Sequence, residues 1–182
     1  TMEQYSGTIE CADKVIAMGK EEYQAWYMKA WALDKTGKSD EAIKCLDNAL
    51  NINKGLIQAW YNKGYILYNQ GKYEEAIKCF DKFLEKRPGD EETLKVRGLC
   101  YSNLGKYEDA IKSFDKAIKI KPRSVVFLNL KGMSLISLGK YKEAIKCFDT
   151  SLSIDRKDAV AKSKRKEAEN LLKISKSGKK NI

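Results

Sequence analysis

The segment Ala32 to Ser39 reads A-L-D-K-T-G-K-S and resembles a phosphate-binding loop with alanine in place of its first glycine. Such a loop must leave a strand through a glycine-rich turn, so that backbone N–H groups cradle the phosphate. Here the segment is read as the end of one helix and the turn to the next. Adjacent carboxylates such as Glu91-Glu92 suggest an acid/base couple, but neighbours on a helix point about 100° apart and do not face each other. They fit the positive N-terminal end of a helix better. Histidine, the commonest general base near neutral pH and a frequent metal ligand, is absent from the chain. That removes most catalytic triads and mixed Cys/His zinc sites. No catalytic residue, cofactor site or metal site is therefore expected.

Five cysteines remain as possible chemistry. Cys11, Cys45, Cys79 and Cys147 fall in one column of a regular spacing, with Ser113 in the missing place. Stacked helices separate such residues by about 10 Å, whereas a disulfide needs Cα atoms within about 7 Å. Free thiols are expected. Cys100 shares a small-residue column with Ala32, Ile66 and Ser134 and reads as helix packing.

The spacing that arranges these residues is 34. It links Gly37-Lys38, Gly71-Lys72, Gly105-Lys106 and Gly139-Lys140 without a slip. The same step links Ala42, Ala76, Ala110 and Ala144, then Leu46, Phe80, Phe114 and Phe148, then Asp47, Asp81, Asp115 and Asp149. A period of this length marks a repeat array of supersecondary units. Trp60, Gly64 and Leu67 stand at i, i+4 and i+7, one stripe of a helix, and Ala76, Phe80 and Phe83 repeat the stripe beyond Gly71. Each unit is thus two amphipathic helices. The glycine closes the first, acidic pairs such as Glu74-Glu75 and Glu108-Asp109 open the second, and Pro88 and Pro122 mark the break before the next unit.

Trp60, Gly64, Leu67, Ala76, Phe80 and Pro88 resemble the tetratricopeptide pattern, and the match spans nearly the whole chain. The resemblance implies an all-α fold, a right-handed α-solenoid of tandem helix-turn-helix repeats. One departure is systematic: the pattern's leucine before the glycine is Lys29, Lys63, Arg97 and Lys131. Their aliphatic stems are expected to cover apolar surface while the charges reach water. The expected organisation is a partial N-terminal repeat at 1–22 holding a second helix only, then repeats at 23–56, 57–90, 91–124 and 125–158. A capping helix at 159–174, polar because Lys162 replaces the expected aromatic, and a basic tail at 175–182 complete it. Thr1 before Met2 reads as a cloning remnant, so the chain is expected to be a piece of a longer protein.

In this family the first helices line a concave groove that holds a peptide. By resemblance the groove residues here are Tyr27, Trp31, Tyr61, Asn62, Tyr65, Tyr68, Asn69, Asn103, Asn129 and Met133. They exceed what the packing stripe needs, and tyrosine with asparagine combines stiff apolar area with backbone hydrogen bonding. Some relatives clamp a C-terminal carboxylate; Asn62 matches that clamp, but Tyr27, Trp31, Glu92 and Val96 occupy its other places, so it is not carried over. The expected function is a protein-interaction scaffold for a protein or peptide partner, as monomer or weak homo-oligomer.

Charge supplies the rival readings. The net charge is +10, of which residues 156–182 hold +7, with ten Lys/Arg against three Asp/Glu. The remainder is nearly balanced. RNA or an acidic partner on the basic C-terminal segment is the alternative, with self-association through the N-terminal edge or an apolar Val126, Leu130, Met133 and Ile136 patch as a third; the charge distribution disfavours nucleic acid. No apolar run reaches the roughly eighteen residues of a membrane helix and no secretory signal is evident, so no membrane partner and a cytoplasmic location are expected.

Overall fold

The computed structural model describes residues 2–19 and 22–178, and among them every regular element is an α-helix. Two units divide the chain, Thr1–Pro88 and Gly89–Ile182. The first holds α1 (Met2–Ala17), α2 (Tyr23–Lys35), α3 (Ser39–Ile52), α4 (Ile57–Asn69) and α5 (Tyr73–Lys86). The second holds α6 (Glu91–Asn103), α7 (Tyr107–Ile120), α8 (Val125–Ser137), α9 (Tyr141–Ile154) and α10 (Ala159–Gly178). The expected phosphate-loop look-alike is divided between the end of α2, the turn at Gly37 and the start of α3.

The 34-residue period is a period of turns. Gly37, Gly71, Gly105 and Gly139 have φ of 79°, 74°, 71° and 72°, the left-handed conformation that favours glycine. After each, the lysine N–H reaches back five residues: Lys38 to Leu33 O, Lys72 to Leu67 O, Lys106 to Tyr101 O and Lys140 to Leu135 O, all at 2.9 Å. This closes the carbonyls that a helix end would otherwise leave open. Lys38, Lys72, Lys106 and Lys140 then precede helices whose first turns carry Asp40 and Glu41, Glu74 and Glu75, Glu108 and Asp109, and Glu143. Negative charge there meets the positive end of the helix dipole.

Size matching fixes the crossing of the two helices within a repeat. Phe80, Phe114 and Phe148 are fully buried, and each ring lies on the glycine sixteen residues earlier. A methyl group on Gly64 would meet Phe80 at 2.8 Å, and one on Gly132 would meet Phe148 at 2.6 Å. In the first full repeat the buried Leu46 shares a cluster with Ala30, a smaller residue and a larger one exchanged together. Ala42, Ala76, Ala110 and Ala144 are all at 0% exposure, a column of small residues wholly inside the packing.

The lysines in place of leucine do more than reach water. Lys29 Nζ lies 2.5 Å from Asp13, Lys131 Nζ 2.6 Å from Asp115, and Arg165 Nε 2.5 Å from Asp149; Lys63 pairs with Asp47 in the same way. Each cation joins a first helix to the second helix of the repeat before it, sixteen residues back. At Lys131, burial pulls the ammonium pKa down, but the hydrogen bond and charge of Asp115 prevail and raise it.

α10 runs to Gly178, four residues beyond the expected capping helix, and residues 175–178 of the expected tail are its last turn. The remainder of that tail, 179–182, lies outside the described residues. α1, Met2–Ala17, lies inside the partial repeat expected at 1–22.

Candidate functional site

In the first unit the predicted surface is carried by α2 and α4. Tyr61 and Tyr65, one turn apart on α4, stack with ring centroids 6.1 Å apart and planes 29° apart. Tyr65 continues to Tyr68 at 6.2 Å, and Tyr68 to Tyr73 at 6.0 Å. Tyr61 is half-buried because its ring also rests on Phe83, 5.3 Å away, whereas Tyr65 is 40% exposed. On α2, Trp31 is 37% exposed and meets Tyr5 of α1 edge-on at 5.3 Å. Asn62 donates from Nδ2 to Tyr27 Oη at 2.9 Å, tying α4 to α2. Asn69 is exposed at the end of α4. The structure thus brings Tyr61, Tyr65 and Tyr68 into one chain of rings and spends Asn62 and Tyr27 on each other.

The second unit carries the same columns in a different chemistry. Met133 is 39% exposed where the first unit has Trp31 and Tyr65. Asn103 is exposed, but its Nδ2 donates to Leu99 O of its own helix at 2.9 Å. Asn129 is not available as expected: it is 8% exposed, and its Nδ2 donates to Asp158 Oδ2 at 2.6 Å. Val96 is also buried, at 3%.

Asp158 explains the fate of Asn129. It accepts from Ser151 Oγ at 3.0 Å, and its other oxygen accepts from Val160 N and Ala161 N at 3.0 and 3.1 Å, capping α10. Burial alone would raise its pKa, but these donors, Asn129 first, lower it below the usual value of 3.8. Aspartate in a helix-cap column was a signal present in the sequence, and Asp90 shows it again by accepting from Thr93 N at 2.8 Å.

The cysteines are free thiols. Burial pushes Cys79 up to about 11 and Cys100 up to about 12, with Lys63 opposing the shift at Cys79. Cys45 and Cys147 are raised by burial too. Cys11 is the exposed member of the column. Glu92 pairs with Lys95 at 2.7 Å and Glu91 with Lys121, so the two carboxylates are drawn to separate partners. Among the described residues, no three His, Cys, Asp or Glu side chains gather as a metal site. No described helix is long and apolar enough to cross a membrane. On the basic C-terminal segment, Lys173 and Lys176 are exposed on α10.

No curated protein matches the chain. Solved structures of MamA superpose closely. One is 21% identical with a TM-score of 0.77, covering 86% of each chain. MamA from AMB-1 is 21% identical with a TM-score of 0.78 and 88% coverage of each chain. MamA from Desulfovibrio magneticus RS-1, residue 41 to the end, is 19% identical with a TM-score of 0.74, covering 85% of this chain and 88% of that one. At these identities the likeness is one of fold. A family model described as anaphase-promoting complex, cyclosome, subunit 3 matches residues 1–83 and again 75–151. The same model fits twice because its subject is the repeat. With its turn glycines, its glycine–phenylalanine crossings and this match over most of its length, the chain belongs to that family of tetratricopeptide-type repeat proteins.

Proposed function

We propose that the protein is an interaction scaffold that holds an extended peptide of a partner against α2 and α4, with Tyr65 and Trp31 as anchors and Tyr61, Tyr68, Tyr27, Asn62 and Asn69 around them. The chain of rings from Tyr61 to Tyr68 carries this reading. Tyr65 leaves 40% of its surface in water while neighbouring apolar residues of α4 are buried. Aromatic residues supply most of the binding energy in protein interfaces because they bring large, stiff apolar area with a polar edge. Tyr61 is held from below by Phe83, so the platform is ordered before a ligand arrives. On the second unit, Met133 and Asn103 offer an adaptable apolar contact and an amide edge; Asn129 serves packing instead.

No cofactor or catalytic step enters this reading. The test is selection of peptides from a random displayed library on the parent protein, followed by replacement of Tyr65 with a photocrosslinking phenylalanine analogue. The selected peptide should crosslink from position 65 and not from the same analogue at Lys116, which is exposed on α7 of the second unit. Equal crosslinking from both positions would refute the assignment of the surface.

A further inference from the structure

A hollow of about 370 Å³ in the second unit is walled by Arg97 and Tyr101 of α6 and by Lys112, Lys116 and Lys119 of α7. The three lysines stand at i, i+4 and i+7, so they form one exposed row about 10 Å long. Two carboxylates share the hollow, and both are taken: Asp109 lies 2.8 Å from Lys112 Nζ, and Asp115 lies 2.6 Å from Lys131 Nζ of α8. Among the described residues no carboxylate pairs with Lys116 or Lys119.

The other repeats show this row to be a departure. On α5 the corresponding residues are Lys78, Lys82 and Glu85, and Lys82 Nζ meets Glu85 at 2.9 Å. On α3 they are Lys44, Asn48 and Asn51. On α9 they are Lys146, Thr150 and Ser153, whose two hydroxyls donate to carbonyls of their own helix. Of these four helices α7 alone sets three ammonium groups in line, with Lys119 where α5 keeps the glutamate that neutralises its neighbour. The opposite wall departs too. Leu33, Leu67 and Leu135 are each 2% exposed, and the third repeat has half-buried Tyr101 in their place. Arg97 replaces the lysine of the other repeats, and its guanidinium carbon lies 6.0 Å from the centroid of that ring.

Like charges one helical turn apart oppose each other, so an anion bound along the row stabilises the helix that carries it. Ammonium groups on flexible stems meet phosphate as point charges, and a guanidinium adds a planar fork. We infer that this hollow is a binding site for an anion of linked phosphate groups, lying along Lys112, Lys116 and Lys119 with Arg97 on the facing wall. Several linked phosphates spread their charge over a row of about 10 Å, which one phosphate group does not. Nucleic acid suits the hollow less well, because single strands are held by rings on which bases stack. The one aromatic ring among the lining residues, Tyr101, has Arg97 over it instead. The site belongs to the second unit and uses none of the rings of α2 and α4, so anion binding and peptide binding stand or fall separately.

The probe is inorganic triphosphate, titrated into the intact protein by calorimetry at fixed ionic strength. One equivalent should bind, about tenfold or more tighter than orthophosphate. Lys119→Glu restores the arrangement of Lys82 and Glu85, so without anion its melt should match or exceed the parent's, while triphosphate affinity falls about tenfold or more. Lys78→Glu makes the same change of net charge on α5 and should leave the affinity within about twofold of the parent. Adenosine triphosphate, titrated in parallel, separates two sources of linked phosphates: equal affinity assigns the site to the phosphate chain and tighter binding to a nucleotide, and either requires the loss on Lys119→Glu. Four outcomes overturn the inference. They are no binding up to about 1 mM triphosphate; orthophosphate binding as tightly; equal losses from Lys119→Glu and Lys78→Glu, which would make the attraction one of net charge; or a single-stranded RNA oligonucleotide that binds more tightly than triphosphate and is lost on Lys119→Glu, which would assign the hollow to nucleic acid.

Discussion

The ring of Phe148 lies so close on Gly132 that a methyl group added to the glycine would meet Cζ at 2.6 Å. Helix propensity alone makes Gly132→Ala favourable by roughly 0.5–1 kcal/mol. Overpacking against a fully buried ring costs about 1–3 kcal/mol and prevails. Gly132→Ala should lower stability in a urea melt. The pair Gly132→Ala with Phe148→Leu, which rebuilds the Ala30–Leu46 arrangement, should recover part of the loss, and additive losses would contradict the size matching.

The Lys131–Asp115 pair leaves its side chains 27% and 42% exposed, so solvent screens it and its worth is about 0–1 kcal/mol. Lys131→Leu restores the family's usual residue and should leave stability within about 0.5 kcal/mol of the parent, because apolar contact replaces the pair. A loss above about 2 kcal/mol would show the ion pair to be indispensable.

Asp158 should make the C-terminal helix acid-sensitive. Its folded pKa is depressed below 3.8, so its contribution is present above that value and is lost as pH falls through the folded pKa. Asp158→Ala should cost about 1–2 kcal/mol at neutral pH, the loss of a helix cap. The gap between variant and parent melts should close below pH 3.8, and a gap independent of pH would contradict the assignment.

The repeat was legible because its signals are local. A left-handed glycine, an acidic first turn and a glycine placed sixteen residues before a phenylalanine each act within one hairpin, and 34-residue self-similarity multiplies them. The Lys–Asp pairs were hidden because they join a first helix to the preceding repeat; the columns were visible, but their meeting is a fact of packing. The site was less legible than the fold. Tyr65 and Trp31 stand exposed as their columns suggest, whereas Asn129 looks like a ligand-binding amide until Asp158, 29 residues away, is folded against it. Periodicity tells which face a residue occupies and says little about which neighbour takes its hydrogen bonds.

Thiol chemistry follows from burial. In the native protein at pH 8, Cys11 should react with a thiol reagent well before the other four, whose pKa values are raised. All five should titrate after denaturation without reductant. Recovery of three or one would reveal a disulfide and contradict the free-thiol arrangement.

The most direct test of the scaffold reading is the affinity of a library-selected peptide for the parent and for Tyr65→Ala, measured by calorimetry at low and high salt with melts confirming that the variant folds. Truncating the anchor should weaken binding about thirtyfold, the equivalent of roughly 2 kcal/mol. Because the ring platform carries little charge, parent affinity should change little between the two ionic strengths. Binding that survives Tyr65→Ala, falls steeply with salt and disappears when residues 175–182 are removed would contradict the account and place the partner on the basic C-terminal segment.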